Sequence, residues 1–378
     1  MTFTSTSTSQ EYQKQFDMLL GINPIHLNQS DKETLLLPLF NYLHQHHQKN
    51  CQSYHNIMQA NKQSLACHSL IDLPYLAVRL FKHLSLSSIE LEDVFKTLQS
   101  SGTTGQTPAQ IILDKATSAR QSNALVNILQ PSIGKQRLPM LIIDSPAVLK
   151  NKQQLSARGA GIQGLAFFGR YHTYALDEDM QPNWPVIMAF AEKYANQPVL
   201  IFGFTFMVWV HFIEKLRETE QSVDFAQGIL LHSGGWKKLE AQKVDNQYFK
   251  QAVKTQLGIT KVHNFYGMAE QVGSVFVECI NGHLHAPVLA DVIMRDPFTL
   301  EPSINGEQGI VQVLSVLPTS YPGFSLLTED LGRILGVDDC PCGQKGKYFT
   351  IDGRLPKTEV RGCSDTHVGT AQSGTLNV

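Results

Sequence analysis

Between residues 139 and 265 the chain alternates short apolar runs with longer amphipathic ones, and this alternation limits the fold more than any other feature. Residues 139–143 (PMLII), 199–202, 228–231 and 261–265 read as buried strands. Residues 183–194, 206–216 and 237–257 read as the helices between them. Strands separated by helices imply an α/β fold, with parallel-rich sheets flanked by helices. After about Gly273 the pattern shifts to short strands with turn residues (274–278, 288–294, 309–316), which reads as a small β-rich subdomain. Upstream, Leu35, Leu36, Leu39, Tyr42 and Leu43 have helical spacing, with Asp31 a candidate N-cap. His44, His46 and His47 fall on a polar face and read as solvated. The resulting division is a disordered 1–9, a helical 10–95, an α/β core over 96–273, a β-rich 274–362 and a tail over 363–378.

Composition narrows the function classes. A net charge of −2 and no long basic stripe argue against nucleic acid as a partner. The longest apolar run, 199–212, contains Thr205 and His211 and is too short for a membrane span. The opening MTFTSTSTSQ lacks the pattern of a signal peptide, so a cytoplasmic location is expected.

Several junctions between predicted elements carry candidate ligand chemistry. Ser100, Ser101, Gly102, Thr103, Thr104 and Gly105 follow a helix-like run over 89–98 and precede another from Pro108. Small hydroxyl residues and glycines let backbone N–H groups turn inward as a phosphate nest, although such clusters also make plain surface turns. In doubly wound sheets ligands sit at the carboxyl ends of strands. Ser233, Gly234 and Gly235 follow one strand, suiting a flat ligand or a tight turn. Tyr266, Gly267 and Glu270 follow another, where an aromatic ring can stack on a base and an acid can hold Mg2+; a core tyrosine and a surface acid are the plainer alternative. Asp330 is placed at a loop start, as a ribose ligand or a turn acid.

Taken in order, these motifs, with Asp352-Gly353-Arg354 and Arg361-Gly362, resemble the adenylate-forming ligase superfamily over about residues 95–363. Within it the chain is similar to phenylacetate–CoA ligases and closer to the long-chain acyl-protein synthetases (the LuxE family). Residues 73–82 (LPYLAVRLFK), Phe95-Lys96 and 230–239 (LLHSGGWKKL) look like the latter in particular. The resemblance implies that the 100–105 loop holds ATP phosphates, that Ser233, Gly234 and Gly235 line the adenine with Tyr266 stacked on it, and that Glu270 ligates Mg2+. It implies Asp330 and Arg354 at the ribose. Its reaction joins a fatty acid carboxylate to the α-phosphate and releases pyrophosphate, chemistry that needs positioning and charge neutralisation.

The sequence departs from that pattern. The loop runs Gly105-Gln106-Thr107-Pro108-Ala109 without the usual lysine, and Ala269 replaces a threonine. The chain also stops about fifteen residues after Arg361-Gly362, short of the superfamily's usual C-terminal domain. Cys363 follows directly, with Arg361 and His367 as neighbours that can lower its pKa. By resemblance Cys363 accepts the acyl group and passes it to an acyl reductase partner, with an acyltransferase subunit as a further possible partner. The aldehyde then serves light emission or another pathway. The alternatives are delivery to CoA or a carrier-protein thiol, and a non-catalytic nucleotide-binding subunit. Cys340-Pro341-Cys342-Gly343 forms a tight turn which, with Cys279 and His285, makes a Cys3His zinc set; His283 is the rival ligand and unmetallated core cysteines the alternative. Phe167, Phe168, Phe202, Phe204, Phe206, Met207, Val208 and Trp209 are candidates to line an acyl pocket or to fill the ordinary core.

Overall fold

A computed structural model describes residues 5–99, 108–149, 157–219, 221–236 and 242–355. Helices α1 (Ser5–Leu20), α2 (Gln29–Asn50) and α3 (Gln52–Ala60) come first. Helix α1 begins inside the stretch expected to be disordered. Helix α2 is capped by Asn28, whose Oδ1 accepts from the Asp31 N–H at 2.9 Å; Asp31 is therefore in the first turn and is not the cap. Strands β1 (Leu76–Ala77), β2 (Lys96–Gln99) and β3 (Gln110–Leu113) follow. The helix-like readings on both sides of the 100–105 loop do not hold: β2 and β3 pair antiparallel from Lys96↔Leu113 to Gln99↔Gln110.

Helix α4 (Lys115–Ile133) leads to β4 (Leu138–Ile142), α5 (Ala157–Leu165) and β5 (Gly169–Tyr174). Next come α6 (Trp184–Lys193), β6 (Leu200–Phe204), then α7 (Thr205–Val208) running through a π turn at Trp209–Ile213 into α8 (Glu214–Thr219). Strand β7 (Ile229–Ser233), α9 (Asn246–Leu257) and β8 (Lys261–Tyr266) complete this half. The helix expected from residue 237 starts at Asn246, capped by Asp245 and stopped by Gly258 at φ +71°.

The second half contributes β9 (Phe276–Glu278), β10 (Leu284–His285), β11 (Ala290–Arg295), β12 (Gly309–Ser315), β13 (Ser325–Val337) and β14 (Lys347–Arg354). All but the β2–β3 hairpin join one twelve-stranded sheet ordered β11-β12-β13-β14-β10-β9-β8-β7-β6-β4-β5, with β1 parallel to β13. The β5-β4-β6-β7-β8 part is parallel and the rest of the main path antiparallel, with the change at β8–β9. Strands β6 and β7 are buried along their whole length, as a parallel sheet covered on both faces requires.

One apolar cluster fills the parallel half. A second joins Phe16, Leu36, Phe40 and Tyr54 of the N-terminal helices to Val292, Val313 and Leu326 of the antiparallel strands. His44 and His47 lie inside that second region, contrary to the solvated reading. His44 Nδ1 meets Tyr54 Oη at 2.8 Å, and His47 Nδ1 meets Ser88 Oγ at 2.8 Å. His46 Nε2 reaches the Thr319 carbonyl at 2.9 Å. Charges tie the same layers: Lys32 and Lys347 lie 3.7 and 3.4 Å from Asp291 Oδ1.

Candidate active site and metal centre

The site residues gather where the parallel half meets the antiparallel half. Tyr266 ends β8, Asp330 lies within β13 and Arg354 ends β14 directly opposite Asp330. Asp330 is thus a strand residue, where the sequence suggested a loop start. Tyr266 Oη donates to Asp330 Oδ2 at 2.7 Å and Arg354 Nε donates to Asp330 Oδ1 at 3.1 Å. Along the sheet path four strand steps separate β8 from β13, which in a flat sheet is about 19 Å. Their contact means that the sheet curls sharply here. Phe276 and Phe349 fill the curl, with ring centroids 5.2 Å apart.

Glu270 follows in a single 3-10 turn (Ala269–Gln271). Tyr321 donates its hydroxyl to the Glu270 carbonyl at 2.9 Å, and Gln271 Nε2 donates to the Gly323 carbonyl at 2.7 Å. Burial pushes the Glu270 carboxyl up to about 7; Arg354 opposes this, while Asp330 and Glu329 add to it. A buried carboxylate close to other acids suits a hard divalent cation, which lowers its pKa and supplies the missing positive charge. Burial, then Asp330, drives the Tyr266 phenol well above its ordinary range, so it remains a donor.

Ser233 is buried at the end of β7, in register with Phe265 and next to Tyr266 across the β7–β8 pair. Gly234 has φ +85°, and a Cβ there would lie 3.1 Å from Phe204 Cδ1; a Cβ on Gly235 would meet nothing within 4 Å. Among the described residues the backbone is therefore bare on one side of this turn. Asn264 Oδ1, two residues before Tyr266, is buried and has no hydrogen-bond donor among the described residues. Bare backbone, an uncommitted acceptor and a tyrosine ring thus lie side by side in a cradle at the strand ends. Sequence reasoning assigned no role to Asn264 or to Tyr321.

Residues 100–105 and Cys363, with Arg361 and His367, lie outside the described residues. The hairpin flanking the loop is nevertheless tied to the site. Ser320 Oγ donates to the Ile112 carbonyl of β3 at 2.8 Å, and the next residue is the Tyr321 that holds Glu270. Among the apolar candidates, Phe202, Met207 and Val208 are sealed in the core and Phe167 is exposed, whereas Phe204 packs against Gly161 and Gly234 beside the cradle.

The second constellation lies beyond the curl. Cys279, His285, Cys340 and Cys342 place one ligand atom each within 4.8 Å of one another. Cys279 Sγ is 3.9 Å from Cys340 Sγ, and His285 Nε2 is 3.4 Å from Cys342 Sγ. These are close to the edge lengths of a tetrahedron built on ordinary zinc–sulfur and zinc–nitrogen bonds. Burial lowers His285 to about 4, leaving the neutral ligating form, and raises Cys340 to about 12, a penalty that a bound divalent cation reverses. The donor set fits zinc. His283 Nδ1 is also near, 3.4 Å from Cys340 Sγ, and both imidazoles stack on Tyr348.

The family model for acyl-protein synthetase, LuxE, matches residues 6–370. The chain belongs to the LuxE acyl-protein synthetase family. As a member it is an AMP-forming ligase. It is 23% identical over 329 residues to the long-chain-fatty-acid–luciferin-component ligase of Aliivibrio fischeri, covering 84% of each chain. The ligase of the same description from Vibrio harveyi is 24% identical over 153 residues, 39% of each chain. The fold of this LuxE-family chain resembles the crystal structure of an open 2-hydroxyisobutyryl-CoA ligase in complex with 2-HIB-AMP and CoA. That match has a TM-score of 0.65 and 16% identity, and covers 88% of this chain and 77% of that one. The likeness establishes the adenylate-forming architecture for the family member described here. No helix among its described residues is long and apolar enough to cross a membrane.

Proposed function

We propose that this protein activates a long-chain fatty acid with ATP and carries the acyl group on its own Cys363, working in the cytoplasm. The observation that carries this reading is the convergence of Tyr266, Asp330, Arg354 and Glu270 in the curl of the sheet, beside the bare Ser233-Gly234-Gly235 turn. The purine lies between that turn and Tyr266, with Asn264 accepting from its amino group. Asp330 and Arg354 take the ribose. Glu270 holds Mg2+, which offsets phosphate charge, and the 100–105 loop binds the phosphates. The fatty acid lies toward Phe204.

In the first step a carboxylate oxygen bonds to the α-phosphorus as the bond to the bridging oxygen breaks, and pyrophosphate leaves. In the second, the Cys363 thiolate attacks the acyl carbon, the carbon–oxygen bond to AMP breaks, and the thiol proton passes to solvent. The thioester is handed to an acyl reductase partner, in line with the fatty-acid and luciferin-component ligase descriptions of the relatives. Cys279, His285, Cys340 and Cys342 hold a structural zinc ion that pins β10 to the 340–342 turn.

The protein is incubated with ATP, Mg2+ and labelled tetradecanoate, then denatured. Label that persists, is released by hydroxylamine and is lost in Cys363→Ser supports the reading. Transfer that survives in Cys363→Ser points to CoA or a carrier thiol as acceptor. Absence of carboxylate-dependent ATP–pyrophosphate exchange leaves a non-catalytic nucleotide-binding subunit.

A further inference from the structure

The LPYLAVRLFK segment has no role in the chemistry above, yet it ends against the nucleotide strand. Strand β1 runs parallel to the first part of β13, with Leu76↔Leu326 and Ala77↔Leu327. Strand β14 pairs with β13 only from Asp330 onward. The two partners therefore meet end to end along β13, at Glu329. There the Leu355 N–H donates to the Glu329 carbonyl at 2.9 Å. Arg79, two residues past β1, donates to Glu329 Oε1 through Nε at 3.1 Å and Nη2 at 2.6 Å. Two adjacent acids are thus clasped from opposite ends, Glu329 by Arg79 and Asp330 by Arg354.

Glu329 creates a difficulty for a nucleotide site. Its side chain is only 18% exposed, and it stands next to Asp330 within β13. Arg79 itself is 59% exposed, so an unpaired carboxylate there would face the solvent from which a polyphosphate arrives and would repel it. The sequence also lacks a lysine in its phosphate loop, so little positive charge is to spare.

We infer that Arg79 is a positioning residue for the nucleotide: it neutralises Glu329 so that the triphosphate can enter beside Asp330. The inference rests on the nucleotide reading of this site. Arg79 acts on Glu329 and does not itself touch the ligand. Two sign-specific consequences follow. Loss of the arginine exposes a repulsive charge, whereas loss of the glutamate leaves an attractive one.

The test is ATP–pyrophosphate exchange by the full chain with tetradecanoate, titrating ATP, in wild type, Arg79→Met, Glu329→Gln and the double variant. The expected result is a roughly fivefold or larger rise in KM for ATP in Arg79→Met, with kcat within about twofold. Glu329→Gln lowers KM, and the double variant returns to within about twofold of wild type. An unchanged KM in Arg79→Met overturns the inference. So does a double variant as impaired as Arg79→Met, since the guanidinium would then act on the nucleotide or through packing. If Arg79→Met does not fold, Glu329→Gln still decides: a raised KM means that the pair is a structural latch. Wild-type protein that neither exchanges pyrophosphate nor binds ATP removes the nucleotide reading and the inference with it, a result seen before any variant is made.

Discussion

Tyr266 and Asp330 touch at 2.7 Å although four strand steps separate them in the sheet. Their hydrogen bond closes the curl that forms the candidate site. Tyr266→Phe keeps the ring but leaves one oxygen of a half-buried carboxylate without its donor. The expected cost is about 1–2 kcal/mol in urea unfolding. KM for ATP rises a few-fold in pyrophosphate exchange. Tyr266→Ala, which also removes the stacking surface, raises KM by roughly another tenfold.

Glu270 sets a pH dependence with a definite sign. Its folded-state pKa of about 7 lies above the ordinary 4.5. The folded protein therefore holds a proton that the unfolded chain has lost, and this group's contribution to stability falls as pH rises from about 4.5 to about 7. Glu270→Gln removes that slope. At pH 8 the variant should be more stable than wild type by on the order of 3 kcal/mol, seen as a higher Tm by calorimetry, with little difference at pH 4.5. The same variant should lose most of its Mg2+-dependent exchange activity, and Mg2+–ATP should stabilise wild type selectively.

The cysteine–histidine cluster predicts a metal count. Elemental analysis of protein purified without chelator should give about one zinc per chain. Cys340→Ser and His285→Ala should lower that figure and the Tm together. His283→Ala should keep the metal, because His285 is the imidazole that closes the four-atom set. Loss of zinc in His283→Ala with retention in His285→Ala would reverse the ligand assignment.

A buried ion pair joins α5 to the end of β4. Arg158 Nε is 2.9 Å from Asp144 Oδ2, with both side chains almost wholly buried at the carboxyl ends of the parallel strands. Burial outweighs the partner and raises Asp144 to about 6. This group's contribution to stability therefore falls as pH rises from about 4 to about 6. Arg158→Met, which leaves Asp144 unpaired, should cost about 3 kcal/mol at pH 8 and less at pH 5, where Asp144 can accept a proton. Chemical denaturation at the two pH values measures the difference.

The parallel half was legible because β4, β6 and β7 are buried on both faces and so appear as continuous apolar runs. Strand β5 was not, because GRYHTY lies at the sheet edge and needs no apolar face. Thr328-Glu329-Asp330 looked like a loop because its side chains are polar; they lie within β13 because Tyr266, Arg354, Arg79 and the Val311 carbonyl satisfy them. The same reasoning failed for His44 and His47, whose ring nitrogens find partners distant in sequence or across the fold. The residue types at the candidate site were readable along the chain. The curl that brings Tyr266 to Asp330 was not, because it depends on register and aromatic packing among strands far apart in sequence.

The N-terminal helices and the antiparallel strands contribute to one apolar interior, with Phe16, Phe40 and Tyr54 packed among residues of β11, β12 and β13. The first sixty residues therefore cannot be exchanged between relatives as an interchangeable lid. A chimera joined near residue 95 would graft foreign side chains into the foundation beneath Asp330. It should tolerate the swap only if the partner strands are transplanted along with it.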